Sequence, residues 1–257
     1  RDTLLDLLCP ALDGAPWVRA AWLGGSDATG RVDSHSDLDL VLVVEDDRIE
    51  DAFDLVVDAL ETCSPIDRRT RFPLPTFHGH DQAIYRLRDA PATLLVDLVV
   101  QRRSATGRLL EPERHGDAVV LLDRDGHVDP PALDHAALDA TLDARRADLI
   151  ARFDLFQTLV TRAIDRRHRA EAAQRYVAFT LAPLVELLRH EHCPQRHDFG
   201  LRYLDRDLPP RTRDLVERLA LPGDLDALRS AQIEAIDAFE TAARRITGDA
   251  SLTIRRP

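Results

Sequence analysis

The sequence predicts an α+β protein in which a mixed sheet with helices is followed by an antiparallel helical bundle. Short apolar runs bounded by turn residues dominate the first half, a pattern typical of buried strands. Beyond Asp129-Pro130-Pro131 the apolar residues recur at helical spacing, and this proline pair is the natural boundary between domains. We therefore predict one domain over residues 1–128 and a second over residues 132–250.

The first half opens with a predicted amphipathic helix and a buried strand. Leucines recur at helical spacing over residues 3–12, whereas residues 17–23 form an apolar run suited to a strand. The same reasoning predicts a strand at 38–44, a helix at 49–60, a proline-rich and basic loop at 68–79, strands at 83–88 and 93–101 joined by a turn at 89–91, and a short strand at 119–122.

The second half is predicted to be helical. Phe153, Phe156 and Val160 belong to one apolar stripe, and Pro183 is expected to kink the helix that carries the next stripe. Apolar stripes or helices are predicted over 149–164, 172–188, 215–219 and 225–246, with a tail over 251–257.

A glycine-rich turn, Gly24-Gly25-Ser26, follows the first predicted strand. Glycine lets the backbone turn tightly and approach a ligand closely. Ser26 adds a hydroxyl where the start of a helix would present free N–H groups to a phosphate. No base is placed in the sequence to activate Ser26 as a nucleophile, so contact with a phosphate is the preferred interpretation.

Asp37 and Asp39 lie two residues apart at the start of the apolar strand at 38–44. Because side chains alternate along a strand, both carboxylates are expected on the same face. Their mutual repulsion would be costly in a core. A divalent cation relieves that repulsion, and Mg²⁺ takes carboxylate oxygens together with substrate phosphates. The pair therefore predicts a magnesium site.

Another acid, Asp97, is the only charged residue in the apolar run at 94–100. One interpretation is that Asp97 is a buried acid paired with a neighbouring arginine. Asp123 follows the apolar run at 119–122, although the sequence after it, Arg124-Asp125-Gly126, is more typical of a turn.

This order of motifs resembles the nucleotidyltransferase superfamily of the DNA polymerase beta type. That family has a glycine-serine pair, then a loop and then Asp-x-Asp, which here are Gly25-Ser26 and Asp37-Leu38-Asp39. Ser36 matches the serine that often precedes the first acid. The loop length and the helical second half look like the kanamycin and lincosamide nucleotidyltransferases. The resemblance rests on sequence motifs over roughly the first half of the chain and only on the layout of the elements over the second half. The resemblance implies a third carboxylate on a later strand, for which Asp97 is the first candidate and Asp123 the rival. It also implies that the nucleotide contacts Gly25, Ser26 and Ser36 and that two Mg²⁺ ions are held by Asp37, Asp39 and Asp97.

The same resemblance implies transfer of a nucleoside monophosphate, AMP from ATP in the first instance, to a hydroxyl of a small-molecule acceptor such as an antibiotic. The helical domain would bind the acceptor and supply a general base, for which Asp154 is the first candidate and Glu171 the second. Related enzymes build their sites across a homodimer. The alternatives are a protein or RNA acceptor, or a noncatalytic nucleotide-binding module. Nothing in the sequence ranks ATP against GTP or CTP.

The composition narrows the class of protein. The chain has 257 residues, 44% of them hydrophobic, and a formal net charge of −11. Because proteins that bind the nucleic-acid backbone usually present a basic face, this charge argues against nonspecific nucleic-acid binding and suits a cationic acceptor. The scattered Cys9, Cys63 and Cys193 predict a reducing cytoplasm rather than a disulfide framework. No apolar run is long enough to span a membrane and no signal-peptide pattern is visible.

Four metal-ligating residues lie close together in the second half: His190, His192, Cys193 and His197. Their order matches no structural zinc pattern, and they follow the end of a predicted helix. A polar loop between helices is therefore the preferred interpretation, with a lining of the acceptor cleft as the alternative.

Overall fold

The structure is a computed structural model that describes residues 1–76 and 78–256. The chain divides into two compact units, the first over Arg1–Leu133 and the second from Asp134 onward. The first unit carries the sheet and the second is helical, so the predicted fold class is confirmed.

Six strands of the described chain form one mixed sheet in the order β3-β4-β5-β2-β1-β6. The pair formed by β2 and β5 is parallel, and the other neighbouring pairs are antiparallel. The strands are β1 Val18–Leu23, β2 Leu38–Val44, β3 Ile66–Arg71, β4 Asp81–Leu87, β5 Leu95–Arg102 and β6 Val119–Asp123. The helices of this unit are α1 Asp2–Asp13, α2 Gly25–Ala28, α3 Ile49–Cys63 and α4 Pro112–His115.

The two faces of the sheet are covered differently. Residues from α1 and α3, such as Leu8 and Val56, pack with Leu40 and Leu98 in a large core on one face. A smaller cluster that includes Trp22 covers part of the other face. Because successive side chains of β2 and β5 point to opposite faces, every second side chain of these strands lies on the face away from the main core.

The predicted loop at residues 68–79 is wrong at its beginning, because β3 occupies Ile66–Arg71 and pairs with β4. Residue 77 of that stretch lies outside the described residues. β3 is an edge strand with mostly exposed, charged side chains, among them Arg68 and Arg69. Charged edge strands discourage pairing with other chains, but they lack the apolar alternation by which strands are predicted.

The second unit packs around a core in which the rings of Phe153 and Phe239 stack at 3.6 Å between centroids. Pro183 lies in the first turn of a helix that follows a π-helical segment, Val177–Leu181. The predicted tail includes a buried residue, Ile254, whose N–H donates to Glu240. The helices of this unit are α5 His135–Asp165, α6 Arg169–Tyr176, α7 Ala182–His192, a 3₁₀ turn Pro194–Arg196, α8 Leu204–Asp207, α9 Pro210–Ala220 and α10 Leu225–Thr247.

None of the helices in the described part of the chain combines the length and apolar character that crossing a lipid bilayer requires.

Candidate active site

Two carboxylates meet across the parallel strand pair at the centre of the sheet. Asp39 on β2 and Asp97 on β5 are direct partners in the strand register. Both belong to the face opposite the main core, because their neighbours Leu38, Leu40 and Leu98 point into that core. Parallel pairing of two apolar strands therefore places two acids side by side on the more open face.

Asp37 joins this pair from the loop just before β2. The backbone N–H of Leu95, at the start of β5, donates to Asp37 Oδ1 at 3.2 Å. This hydrogen bond ties the loop to the strand that carries Asp97 and fixes one oxygen of the Asp37 carboxylate. The three predicted acids are thus brought together at one end of β2 and β5.

The environment of Asp39 and Asp97 opposes the ionisation of these two carboxyl groups. Burial and repulsion from Asp97, Asp37 and Asp27, in that order, raise the pKa of Asp39 to about 6, while Arg1 acts in the opposite direction. Burial also raises the pKa of Asp97. Clustered, partly buried carboxylates of this kind suit a hard divalent cation with oxygen ligands.

The backbone of Gly25 lies directly against the carboxylate cluster. It has a φ of +53°, and a Cβ placed on it would lie 1.8 Å from Asp39 Oδ2. Any side chain at this position would therefore collide with the carboxylate, besides adopting a backbone conformation that favours glycine. The glycine turn lets the chain pass directly beside the Asp39 carboxylate.

Ser26 has a buried Oγ with no hydrogen-bond partner among the described residues. An unsatisfied buried hydroxyl is costly, and its occurrence calls for a functional explanation. A phosphate oxygen next to the carboxylates would satisfy it. The motif implies a metal and a triphosphate, and the residues present fit both. The carboxylates of Asp37, Asp39 and Asp97 fit the metal, and the close approach at Gly25 and the Ser26 hydroxyl fit the phosphates.

Arg1 lies at the edge of the acidic cluster. Its guanidinium contacts Asp27 Oδ2 at 2.5 Å and also donates to the backbone oxygen of Asp37. Asp27 lies in α2 and is paired with Arg1, so it adds to the repulsion at Asp39 without joining the three convergent acids.

Ser36 occupies a different local environment from Ser26. Its Oγ donates to Asp33 Oδ1 at 3.0 Å and accepts from the Asp33 N–H at 2.9 Å. These bonds close a turn ahead of β2 and support the approach of Asp37. Contact between Ser36 and a nucleotide stays a prediction.

Gln82 on β4 is a site residue that the sequence reasoning missed. Its Nε2 donates to both oxygens of Asp97, at 2.8 and 3.0 Å, and these bonds lower the pKa of Asp97 against the effect of burial. Its Oε1 lies 3.3 Å from His78 Nε2. Strand alternation could have indicated its place. Asp81, Ala83 and alternate residues beyond are buried along β4, so Gln82 lies on the opposite face, which is that of the acids.

The rival acid Asp123 lies elsewhere. It pairs with Ala20 toward the beginning of β1, whereas Gly24 follows the opposite end of that strand. Its oxygens accept from the N–H groups of His127 and Val128, at 2.8 and 3.2 Å. Asp123 therefore closes a turn, as the residues after it suggest.

The two candidates for a general base belong to the second unit. Asp154 is half-buried on α5, next to the core residue Phe153. Glu171 on α6 is engaged by His168 at 2.9 Å and by Arg175 at 2.6 Å, and the hydrogen bond from His168 lowers its pKa. Glu171 is thus part of a surface charge cluster, which favours Asp154 as the candidate.

No protein-family model matches the chain, and no curated protein matches its sequence. Among solved structures, the chain aligns with an aminoglycoside 6-adenyltransferase from Bacillus subtilis at 13% identity and a TM-score of 0.35, over 100% of this chain and 94% of that chain. It also aligns with the GLD-2/RNP-8 complex at 12% identity and a TM-score of 0.34, over 94% of this chain and 80% of that chain. At these identities and scores, the likeness fixes neither a family nor a substrate for this chain.

Proposed function

We propose that the protein is a Mg²⁺-dependent nucleotidyltransferase that moves a nucleoside monophosphate, AMP from ATP in the first instance, to a hydroxyl of a small-molecule acceptor. Residues 1–128 would form the catalytic domain and residues 132–250 the domain that binds the acceptor. The single observation that carries the proposal is the convergence of Asp37, Asp39 and Asp97 beside the Gly25 backbone.

In this proposal Asp37 and Asp39 would hold the Mg²⁺ that accompanies the triphosphate, and Asp97 would help to hold a second ion. Bound Mg²⁺ would neutralise charge on the attacking and leaving oxygens. Gln82 orients Asp97 through its two hydrogen bonds. Ser26, whose Oγ has no hydrogen-bond partner in the described part of the chain, would donate its Oγ–H to a phosphate oxygen.

The transfer itself is an in-line displacement at the α-phosphorus. A bond forms between the acceptor oxygen and phosphorus, the bond to the bridging oxygen breaks, and pyrophosphate leaves with that electron pair. Asp154 is proposed to take the proton of the acceptor hydroxyl. The resemblance to the kanamycin-type enzymes also suggests a homodimer.

The test is pyrophosphate release from ATP, GTP or CTP with Mg²⁺, measured against a panel of aminoglycosides and lincosamides. We expect release with one class of compound and its loss in Asp39→Asn. Asp123→Asn is the matched control, because that acid closes a turn on the same sheet. Nucleotide binding without turnover on the panel would favour a protein, RNA or other acceptor. Unchanged turnover in Asp39→Asn would overturn the assignment.

A further inference from the structure

A second cluster of potential metal ligands lies in the helical unit. Glu186, His190 and His197 each offer one ligand atom, and these atoms lie within 4.8 Å of one another. Glu186 and His190 are four residues apart on α7, so they share one helix face. His197 directly follows the 3₁₀ turn Pro194–Arg196, which returns the chain to that face.

His190 provides an independent indication of a ligand. The residue is only 6% exposed, and neither ring nitrogen has a hydrogen-bond partner among the described residues. His197 Nδ1 is also buried without a partner, and the two rings lie edge to face at 5.5 Å between centroids. Buried imidazole nitrogens normally find partners, so three unsatisfied nitrogens at one point require an explanation.

The His190 imidazole is in the protonation state that binds metal. Burial, with the neighbouring His197 as the next cause, lowers the pKa of His190 to about 4. The ring is therefore neutral at pH 7 and offers a lone pair. Nitrogen donors of this type favour transition metals such as Zn²⁺, in contrast to the all-oxygen set in the first unit.

Glu186 is already engaged by Arg145, whose Nε and Nη2 donate to its two oxygens at 2.5 and 2.9 Å. Each carboxylate oxygen has a second lone pair, so this pairing leaves a site for coordination. Hydrogen bonds of this kind orient carboxylates that bind metals. The positive charges of Arg145 and Arg146, which both act on His190, weaken the attraction for a dication and favour moderate affinity.

We propose that Glu186, His190 and His197 form a transition-metal site for a Zn²⁺-class ion, with a fourth coordination position open to water. Tetrahedral Zn²⁺ places its ligand atoms about 3.3 Å apart, so closure needs side-chain adjustments of roughly 1 Å. The proposed ligands differ from the four residues that lie close together in the sequence, because Cys193 and His192 contact other residues. Cys193 Sγ accepts from Arg189 at 3.4 Å, and His192 lies against Glu191 and Thr212.

The experiment is a titration of the full chain, stripped of metal, with Co²⁺ and then with competing Zn²⁺. It is run in excess Mg²⁺, so that the carboxylates of the first unit are occupied by a hard cation. We expect one equivalent of Co²⁺ with the visible absorption of a four-coordinate ion, displaced by Zn²⁺. His190→Ala and His197→Ala should each weaken binding by at least about tenfold.

His192→Ala is the matched control, since it removes a nearby histidine outside the cluster and should leave Co²⁺ binding unchanged. Should His190→Ala fail to fold by circular dichroism, His197→Ala and Glu186→Gln test the same site at half-buried positions. Absence of stoichiometric binding in the wild type, or an equal loss in His192→Ala, would overturn the proposal. Because the readout is spectroscopic, it is independent of nucleotidyl transfer.

Discussion

The backbone of Gly25 lies so close to Asp39 that a Cβ at residue 25 would sit 1.8 Å from Asp39 Oδ2. The position of the central carboxylate thus depends on the absence of a side chain in the turn that precedes it. This contact links the glycine-serine pair to the Asp-x-Asp strand physically as well as in sequence order.

Replacing Gly25 with Ala should displace the Asp39 carboxylate and reduce nucleotidyl transfer by about 10²-fold, the effect of a misplacement of roughly 1 Å. Gly30→Ala is a matched control. Gly30 also has a positive φ, +64°, but an added Cβ would meet nothing within 4 Å. Both variants carry backbone strain, so equal losses of activity in the two would contradict the proposed role of the contact.

Asp39→Asn should stabilise the metal-free protein at neutral pH. The folded-state pKa of about 6 lies above the ordinary value of 3.8. The native state therefore binds the proton more tightly, and ionisation of Asp39 removes stability as pH rises from about 4 to 6. The difference in unfolding free energy between variant and wild type should grow over this range by up to about 3 kcal/mol. Urea denaturation in EDTA at several pH values measures it, and parallel pH profiles would refute the prediction.

Added Mg²⁺ should stabilise the wild type but not Asp39→Asn, because an ion that binds only the folded state raises its stability by mass action. The measurement is the thermal midpoint against Mg²⁺ concentration at pH 7. Asp123→Asn serves as the control and should respond like the wild type. An Asp39→Asn midpoint that rises as steeply as that of the wild type would remove Asp39 from the metal site.

Gln82→Leu should lower nucleotidyl transfer by about tenfold at neutral pH, since a residue that orients a metal ligand typically contributes this much. Loss of the two hydrogen bonds also removes the influence that lowers the pKa of Asp97, so the acidic limb of the pH–rate profile should move to higher pH. Ile84→Val changes a neighbour in the same strand register without removing a hydrogen bond. An unchanged acidic limb in Gln82→Leu would argue against this role.

Ser26→Ala should leave stability within about 1 kcal/mol of the wild type or raise it, because the lost hydroxyl has no hydrogen-bond partner among the residues that the structure describes. The same change should raise the KM for the nucleotide about tenfold. Ser230→Ala, which removes an exposed hydroxyl from α10 in the second unit, is the control for hydroxyl loss. A marked loss of stability with an unchanged KM would make Ser26 a structural residue.

Local sequence patterns were sufficient where a strand is apolar and buried. Strand β2 spans the predicted residues because alternate leucines point into the main core while Asp39 points away from it. β3 escaped prediction because an exposed edge strand has no apolar alternation to detect. Gln82 escaped because its role depends on the register between β4 and β5, which is a property of tertiary structure.

In the helical unit, too, local sequence does not show which residues meet in the tertiary structure. His190, His192 and Cys193 are neighbours in sequence, yet the helix turns His190 toward Glu186, one turn earlier, and holds Cys193 against Arg189. Four-residue helical spacing predicts the first relationship in principle. The return of His197 to the same point depends on a 3₁₀ turn that no local pattern specifies.

The parallel pairing of β2 with β5 also determines when the carboxylate cluster comes into being during folding. The hydrogen bond from Leu95 to Asp37 joins residues 58 positions apart, with α3 and the hairpin of β3 and β4 between them. Closing so long a loop costs entropy that only the completed pairing returns, which makes such contacts slow to form. A nascent chain that ends at β4 therefore carries two of the acids without the third. Repulsion among all three acids therefore arises only when β5 pairs with β2.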